Sequence, residues 1–359
     1  MIAKAHLFEF KSDGVHWGLG VRVLVALLAP LIVMDPLGLT QYWGSLSFGV
    51  LFVALSDMFT LKAPIGYRLQ RLGIITLLGA LLTALGLVLG LNWELAVLGT
   101  FVITLLCGAS LAWGKPAAFG AYLLNIWFIA SLSFKGGTAQ ALPQGLAWLV
   151  GGALYMLLVL VRFKRQSSPA EAPPATAPSL SPKSLFETYF ALFRFSNPKF
   201  RYVLLKALAV TVGAAIGFGF GFGILYGRWI PIYTLVILQP DYEQTIDLFA
   251  LRMLGTILAA ALASVLLVGV HNQYILALIV VVFAFIAASM HEANMLIYIF
   301  FNTTTLLLLL DFSTPGSLTD VWARMLNVFI GALIAVVVVF LFMRPSQKTE
   351  SSTSSVASG

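Results

Sequence analysis

About a dozen stretches of mostly apolar residues, each close to 20 residues long, follow one another along this chain with only short polar breaks between them. A hydrocarbon core of ~30 Å asks about 20 apolar residues of a helix, and the helix is one of the two structures that satisfy every backbone polar group there. The sequence therefore predicts spans near 18–36, 43–58, 73–91, 94–112, 117–134 and 144–162. A second set follows near 202–224, 229–246, 250–269, 273–290, 293–311 and 321–343. The spans that begin at Trp43 and Trp229 are short and end in acidic residues, which marks them as broken or tilted. Composition agrees: 60% of residues are hydrophobic and 10% charged, and mean hydropathy is +0.96. Ordinary soluble domains are about 25% charged. The fold class read here is an all-α integral membrane protein made of two parallel-repeat bundles of about six transmembrane helices each.

The first span is as long as the others and has no small-residue cleavage site, so it reads as a retained helix rather than a removed signal. The single cysteine, Cys107, lies inside an apolar span and can form no intramolecular disulfide. Net charge is +7, and its placement matters more than its sum. If both termini are cytoplasmic, Lys135, Arg228 and Arg324 are the basic residues of the external turns. The other eighteen of the 21 Lys and Arg then lie on the cytoplasmic side, among them Lys62, Arg68, Arg71, Arg162, Lys164, Arg165, Arg344 and Lys348. That is the positive-inside asymmetry. The basic balance is thus an orientation signal, and nucleic acid is not an expected partner.

Residues 163–184 are rich in Pro, Ala and Ser and read as a cytoplasmic linker between a first bundle, 1–162, and a second, 185–346; 347–359 reads as a disordered tail. The two halves resemble each other. Leu7-Phe8-Glu9-Phe10 recurs as Leu192-Phe193-Arg194-Phe195, Trp43 is matched by Trp229, and Asp57 and Arg68 are matched by Asp241 and Arg252. Tyr122 and Asn125 have counterparts in Tyr298 and Asn302. An even number of spans per half makes the repeat parallel, with a solute path expected at the interface. The aromatic stretches Leu7–Trp17 and Phe186–Tyr202 precede each half. Each is either an anchoring elbow at the membrane surface or a coupling element at the mouth of a path.

Charge at membrane depth is costly and is normally paired or turned toward water. It concentrates in Arg228–Leu258, where Asp241, Glu243, Asp247 and Arg252 lie between two apolar spans. Pro240 removes a backbone donor, so the chain is expected to break beside Gln239, with Arg252 opening the next helix ahead of Gly255 and Thr256. Arg252 offers planar bidentate donors either to a substrate carboxylate or to Asp241. In the first half Asp57, Arg68 and Arg71 occupy the matching place without the Gln-Pro-Asp context. His291 and Glu292 form a pair in a short turn that either relays protons or is structural. The patch Asn302, Thr303 and Thr304 either lines a path or bonds between helices, and the same holds for Tyr122, Asn125 and Trp127. No Walker loop, Cys/His metal spacing or nucleophile elbow is present, so no cofactor, metal or enzyme activity is expected. The run Gly217–Gly223 reads as small-residue packing.

Trp229, the run Gln239-Pro240-Asp241-Tyr242, Thr245 and Arg252 with Gly255-Thr256 resemble the fusaric-acid-resistance-like family and the related aromatic carboxylic acid exporters. Trp43, Asp57, Arg68 and Gly73 form a degraded version in the first half. The resemblance implies secondary efflux of small organic acids, often aromatic, across the bacterial inner membrane, in some members with a periplasmic membrane-fusion adaptor. A more distant similarity to plant aluminium-activated malate transporters implies an anion path between two six-helix units. Many relatives carry sizeable cytoplasmic domains that this chain does not match. The partners expected are a small organic anion, membrane lipid, such an adaptor and a second copy of the chain. The candidate substrate-binding or proton-coupling residues are Arg252, Asp241, Gln239, Trp229, Tyr242, Asp57, Arg68 and Asn302. The function expected is a proton-driven organic acid exporter, with a passive anion channel or a non-transporting scaffold as alternatives.

Overall fold

The computed structural model describes residues 10–61, 63–134, 136–163, 182–219, 227–240, 242–311 and 318–342. Among them the regular structure is helical, with no strand. The first half contributes α1 (Trp17–Met34), α2 (Trp43–Asp57), α3 (Ile65–Leu89), α4 (Trp93–Ala109), α5 (Lys115–Ser131) and α6 (Gly137–Phe163). A short α7 (Pro182–Leu192) leads into α8 (Pro198–Gly219), α9 (Trp229–Ile237), α10 (Tyr242–Gly269), α11 (Gln273–Met290), α12 (Met295–Asp311) and α13 (Leu318–Phe342). Most of the expected linker, residues 164–181, and the tail lie outside the described residues, as does the later part of the glycine run. Nine of the described helices are long and apolar enough to cross a membrane. The chain is a multi-pass membrane protein.

Local sequence fixes several helix starts. Asn92 and Asn272 open α4 and α11, each side chain accepting two backbone N–H bonds from the first turn. Gly114, at φ 92°, makes the turn into α5, where Pro116 occupies the first turn without costing a donor.

The two short helices form the centre. Every residue of α2 except Gly44 is buried, and so are all nine residues of α9. A helix apolar on all sides belongs in a core. Around them, α2 packs on α6, α9 on α13 and α8, α3 on α5 and α6, and α10 on α12 and α13. The halves are joined reciprocally. α1 of the first half packs on α11 of the second, and α8 of the second on α4 of the first. Outward faces carry exposed aliphatics such as Leu77, Leu81 and Val265, which suit contact with lipid.

Two expectations need correction. The span drawn as 229–246 is not one helix: α9 stops at Ile237 and residues 242–246 belong to α10. Arg252 therefore does not open its helix but lies ten residues inside α10. Pro240 explains both, since it has no donor to continue α9 and the next helix is already under way at Tyr242.

The close crossings depend on glycine. A Cβ on Gly151 of α6 would strike the carbonyl of Leu46 in α2, and one on Gly331 of α13 the carbonyl of Ile230 in α9. Thr234 adds a hydroxyl bond of 3.0 Å to the Gly331 carbonyl. Gly331→Ala should lower stability by about 1–3 kcal/mol, whereas Gly44→Ala, which meets open space, should be neutral. Thermal melts of the purified protein in detergent check the pair.

Candidate functional site

The site grows from the point where α9 ends. Leu238 leaves the helix in an extended conformation, φ −69° and ψ 106°, and Gln239 and Pro240 follow. A helix broken inside a bundle leaves carbonyls that hydrocarbon cannot satisfy. Here α8 supplies the donors. The Leu238 carbonyl accepts from the Tyr202 hydroxyl at 3.0 Å and from Lys206 Nζ at 2.8 Å, while Gln239 Nε2 donates to the Val236 carbonyl at 2.9 Å. A cation at a helix C-terminus also complements the helix dipole.

Beside this break lies a cavity of about 400 Å³. Its walls come from both halves: Thr104, Cys107 and Gly108 on α4 and Tyr122 and Asn125 on α5 face Tyr202 and Lys206 on α8, Gln239 and Pro240 at the break, and Arg252 on α10. Three lining residues are cationic, Lys115, Lys206 and Arg252, and none of the described lining residues is acidic. Lys206 Nζ lies 5.6 Å from the centre of the Tyr122 ring and 5.7 Å from that of Tyr202. It donates to Leu238 and, at 3.2 Å, to the Tyr202 oxygen, which uses two of the three donors of an ammonium. The Nε of Arg252 is buried with no hydrogen-bond partner. Phe59 and Phe119, 4.5 Å apart between ring centres, add aromatic surface. Donors of positive charge with vacant capacity, set among ring faces, suit a small anion with an apolar body.

The candidate residues divide among several places. Arg252 and Gln239 line the cavity. Asp57 and Arg68 instead form a sealed pair, with Arg68 Nε 2.6 Å and Nη2 2.5 Å from the two carboxylate oxygens and the Tyr155 hydroxyl donating at 2.8 Å. Trp229 begins α9 at its other end, buried under the Arg228 guanidinium 5.8 Å from its ring, and does not line the cavity. Asn302 is half-buried on α12, also outside the cavity lining. Tyr122 and Asn125 do line it. Asp241 lies outside the described residues, and Tyr242 is placed only as the first residue of α10.

Sequence reasoning missed Lys206, Tyr202 and Lys115 at the cavity, and Arg22 and Tyr155 around Asp57. The signal was present for two of them. Arg22 and Lys206 are lone cations inside apolar spans, which is itself a reason to suspect a site.

A second polar cluster ties the start of α1 to the turn after α11. His16 Nε2 lies 2.9 Å from Glu292 Oε2, the Lys11 N–H donates to the Ala293 carbonyl, and the His16 N–H to that of Ser289. In that turn, burial pulls His291 below the ordinary histidine range despite the adjacent Glu292, so it is neutral at pH 7. On α7, the Tyr189 hydroxyl donates to the Leu106 carbonyl at 3.0 Å, and desolvation pushes it up to about 12. The cluster around His291 fastens the halves together, and a resident proton on this histidine is disfavoured at neutral pH.

Among proteins of known sequence, an uncharacterized protein of Synechocystis sp. is 28% identical over 166 residues, 46% of this chain and 22% of that protein. The chain thus spans less than a quarter of the length of the curated relative it matches. No solved structure matches it significantly. Residues 208–338, from within α8 to near the end of α13, match the fusaric acid resistance protein-like family. That segment carries Gln239, Arg252 and the broken helix, whereas the α4 and α5 wall and Lys206 lie outside it. That match covers a little over a third of the chain and is what this segment is similar to.

Proposed function

We propose that this protein is a secondary exporter of small organic anions, with the cavity between the bundles as its binding site. The observation that carries the reading is the pair Lys206 and Arg252, two cations with unused donors facing a 400 Å³ space lined by rings and by no described carboxylate. Burying such charge costs several kcal/mol in hydrocarbon, a cost that an arriving carboxylate offsets. The similarity of residues 208–338 to the fusaric acid resistance protein-like family supports transport as the class of activity.

In this reading Arg252 takes the carboxylate bidentately and Lys206 supplies a third donor. Tyr122, Tyr202 and Phe119 offer ring faces to an aromatic body. The reciprocal packing of α1 on α11 and α8 on α4 supports a parallel repeat, with alternating access as a rocking of one bundle against the other. The break after α9 is the part of the path best able to move. Asp241, two residues past Gln239, is the carboxylate proposed to carry the coupling proton. The proposed setting is the bacterial inner membrane with both termini cytoplasmic. A periplasmic adaptor and a homo-oligomer are proposed partners on the strength of the family alone.

Inside-out vesicles energised to be acidic inside should take up aromatic carboxylic acids. A protonophore should abolish uptake, and Arg252→Ala or Lys206→Ala should cut it at least ~10-fold, the loss of one charge-assisted contact or more. Flux that follows an imposed membrane potential and ignores the pH gradient would establish the passive channel instead. If correctly inserted protein moves no acid on a broad panel, the exporter reading is lost.

The single cysteine gives a test that needs no substrate. Cys107 lines the cavity, so the positive field should speed its reaction with anionic methanethiosulfonate ethylsulfonate over the trimethylammonium analogue by roughly 10-fold. Lys206→Gln should shrink that ratio. Equal rates, or no reaction with either reagent, would contradict a cationic cavity reached by water.

A further inference from the structure

We infer that the first bundle holds a second carboxylate-binding site, built like the one at the cavity and permanently occupied by the side chain of Asp57. It goes beyond the transport reading and holds whether or not anions are carried.

Four helices converge on Asp57, which is fully buried. Arg68 of α3 grips both carboxylate oxygens, Tyr155 of α6 donates its hydroxyl to Oδ2, and Arg22 of α1 brings Nη2 to 3.9 Å of the same oxygen. The Arg22 guanidinium also lies 5.9 Å from the Tyr155 ring centre, and its Nε is buried with no hydrogen-bond partner. One cation would neutralise one carboxylate. A second guanidinium adds a desolvation cost that a purely structural pair has no need of. Two cations and a phenol around one carboxylate make the composition of an anion receptor, here with its guest covalently attached.

The register of the chain supports the same conclusion. Lys206 and Arg252 each lie 184 residues beyond Arg22 and Arg68, on α8 and α10, which take the places in the second half that α1 and α3 take in the first. The same two positions thus supply the cations of both sites, and phenols stand by in both, Tyr155 in one and Tyr122 and Tyr202 in the other. What differs is the chain beneath. α2 runs unbroken to Asp57 and fixes its carboxylate between the arginines, whereas α9 stops at Ile237 beside an open cavity. Asp57 is therefore a positioning residue that closes the first site; its counterpart at the same offset, Asp241, lies outside the described residues.

The test is rescue by a small carboxylate, read as thermal stability in detergent and performed in a Lys206→Ala background so that the cavity site does not contribute. Asp57→Ala leaves two buried guanidinium groups around an empty space and should lower the apparent Tm by roughly 10 °C. About 50 mM sodium formate should restore at least half of that loss, sodium chloride at equal strength much less, by the linkage of binding to folding. Asp57→Asn, which keeps the space filled, should gain no more from formate than the Lys206→Ala chain itself. Adding Arg68→Ala to Asp57→Ala should abolish the rescue. Equal benefit from chloride, equal rescue of the Asn variant, or rescue that survives loss of Arg68 would each overturn the inference. So would failure of both Asp57→Ala and Asp57→Ser to fold with formate present throughout purification. Because the readout is stability, these outcomes are independent of whether vesicles take up any acid.

Discussion

A cation inside a bundle of apolar helices must find a partner, because hydrocarbon supplies neither counter-charge nor acceptor. Arg22, Arg68, Lys206 and Arg252 set this problem at two places in the molecule, and the helices near them are arranged around its solutions. In the first half the solution is internal. Asp57 stands at the end of an intact α2, and α1, α3 and α6 bring their polar groups to it. In the second half Lys206 binds a backbone carbonyl and two phenol rings, and Arg252 keeps an unused Nε at the edge of a cavity.

The broken helix follows from the same constraint. Nine residues of α9 make about 13.5 Å of helix, less than half of a hydrocarbon core. Such a helix can exist in a membrane only where protein surrounds it, and all nine of its residues are buried. Its last carbonyls need donors, which Tyr202 and Lys206 provide from α8. Lys206 therefore does two things: it caps the broken helix and it charges the cavity. An anion that draws on this ammonium also acts on the end of α9, so binding and backbone geometry are linked through one side chain.

The sequence shows the fold class clearly, because span length and composition answer to the thickness of a bilayer and need no tertiary detail. The break at Gln239-Pro240 was legible for the same reason, as proline chemistry is local. The end of α9 at Ile237 was less so: Leu238 is as apolar as its neighbours, and only its extended backbone marks the stop. Arg252 and Gln239 could be placed at the site from one stretch of sequence. Lys206 and Tyr202 could not, since they reach the break from a helix some 30 residues earlier, and a lysine in an apolar span does not announce which carbonyl it meets. Asp57 and Arg68 looked equivalent to Asp241 and Arg252 by spacing. What separates the halves is α2 running unbroken to Asp57 where α9 stops at Ile237, and the Tyr155 hydroxyl on Asp57, contributed by α6 nearly 100 residues later, is a contact that pattern alone does not reveal.

The way the family segment divides the cavity bears on how specificity is distributed. Residues 208–338 supply Arg252, Gln239 and the break to the cavity wall, and in the proposed reading Arg252 meets the charge of the anion. The opposite wall, with Tyr122, Asn125, Thr104 and Cys107, comes from the first half. Charge recognition by a guanidinium is generic, whereas the shape and polarity of the facing wall decide which anion body fits. A sealed first bundle is suited to that task. With Asp57 holding Arg68 and facing Arg22 away from the cavity, its α4 and α5 surface is left to shape the facing wall.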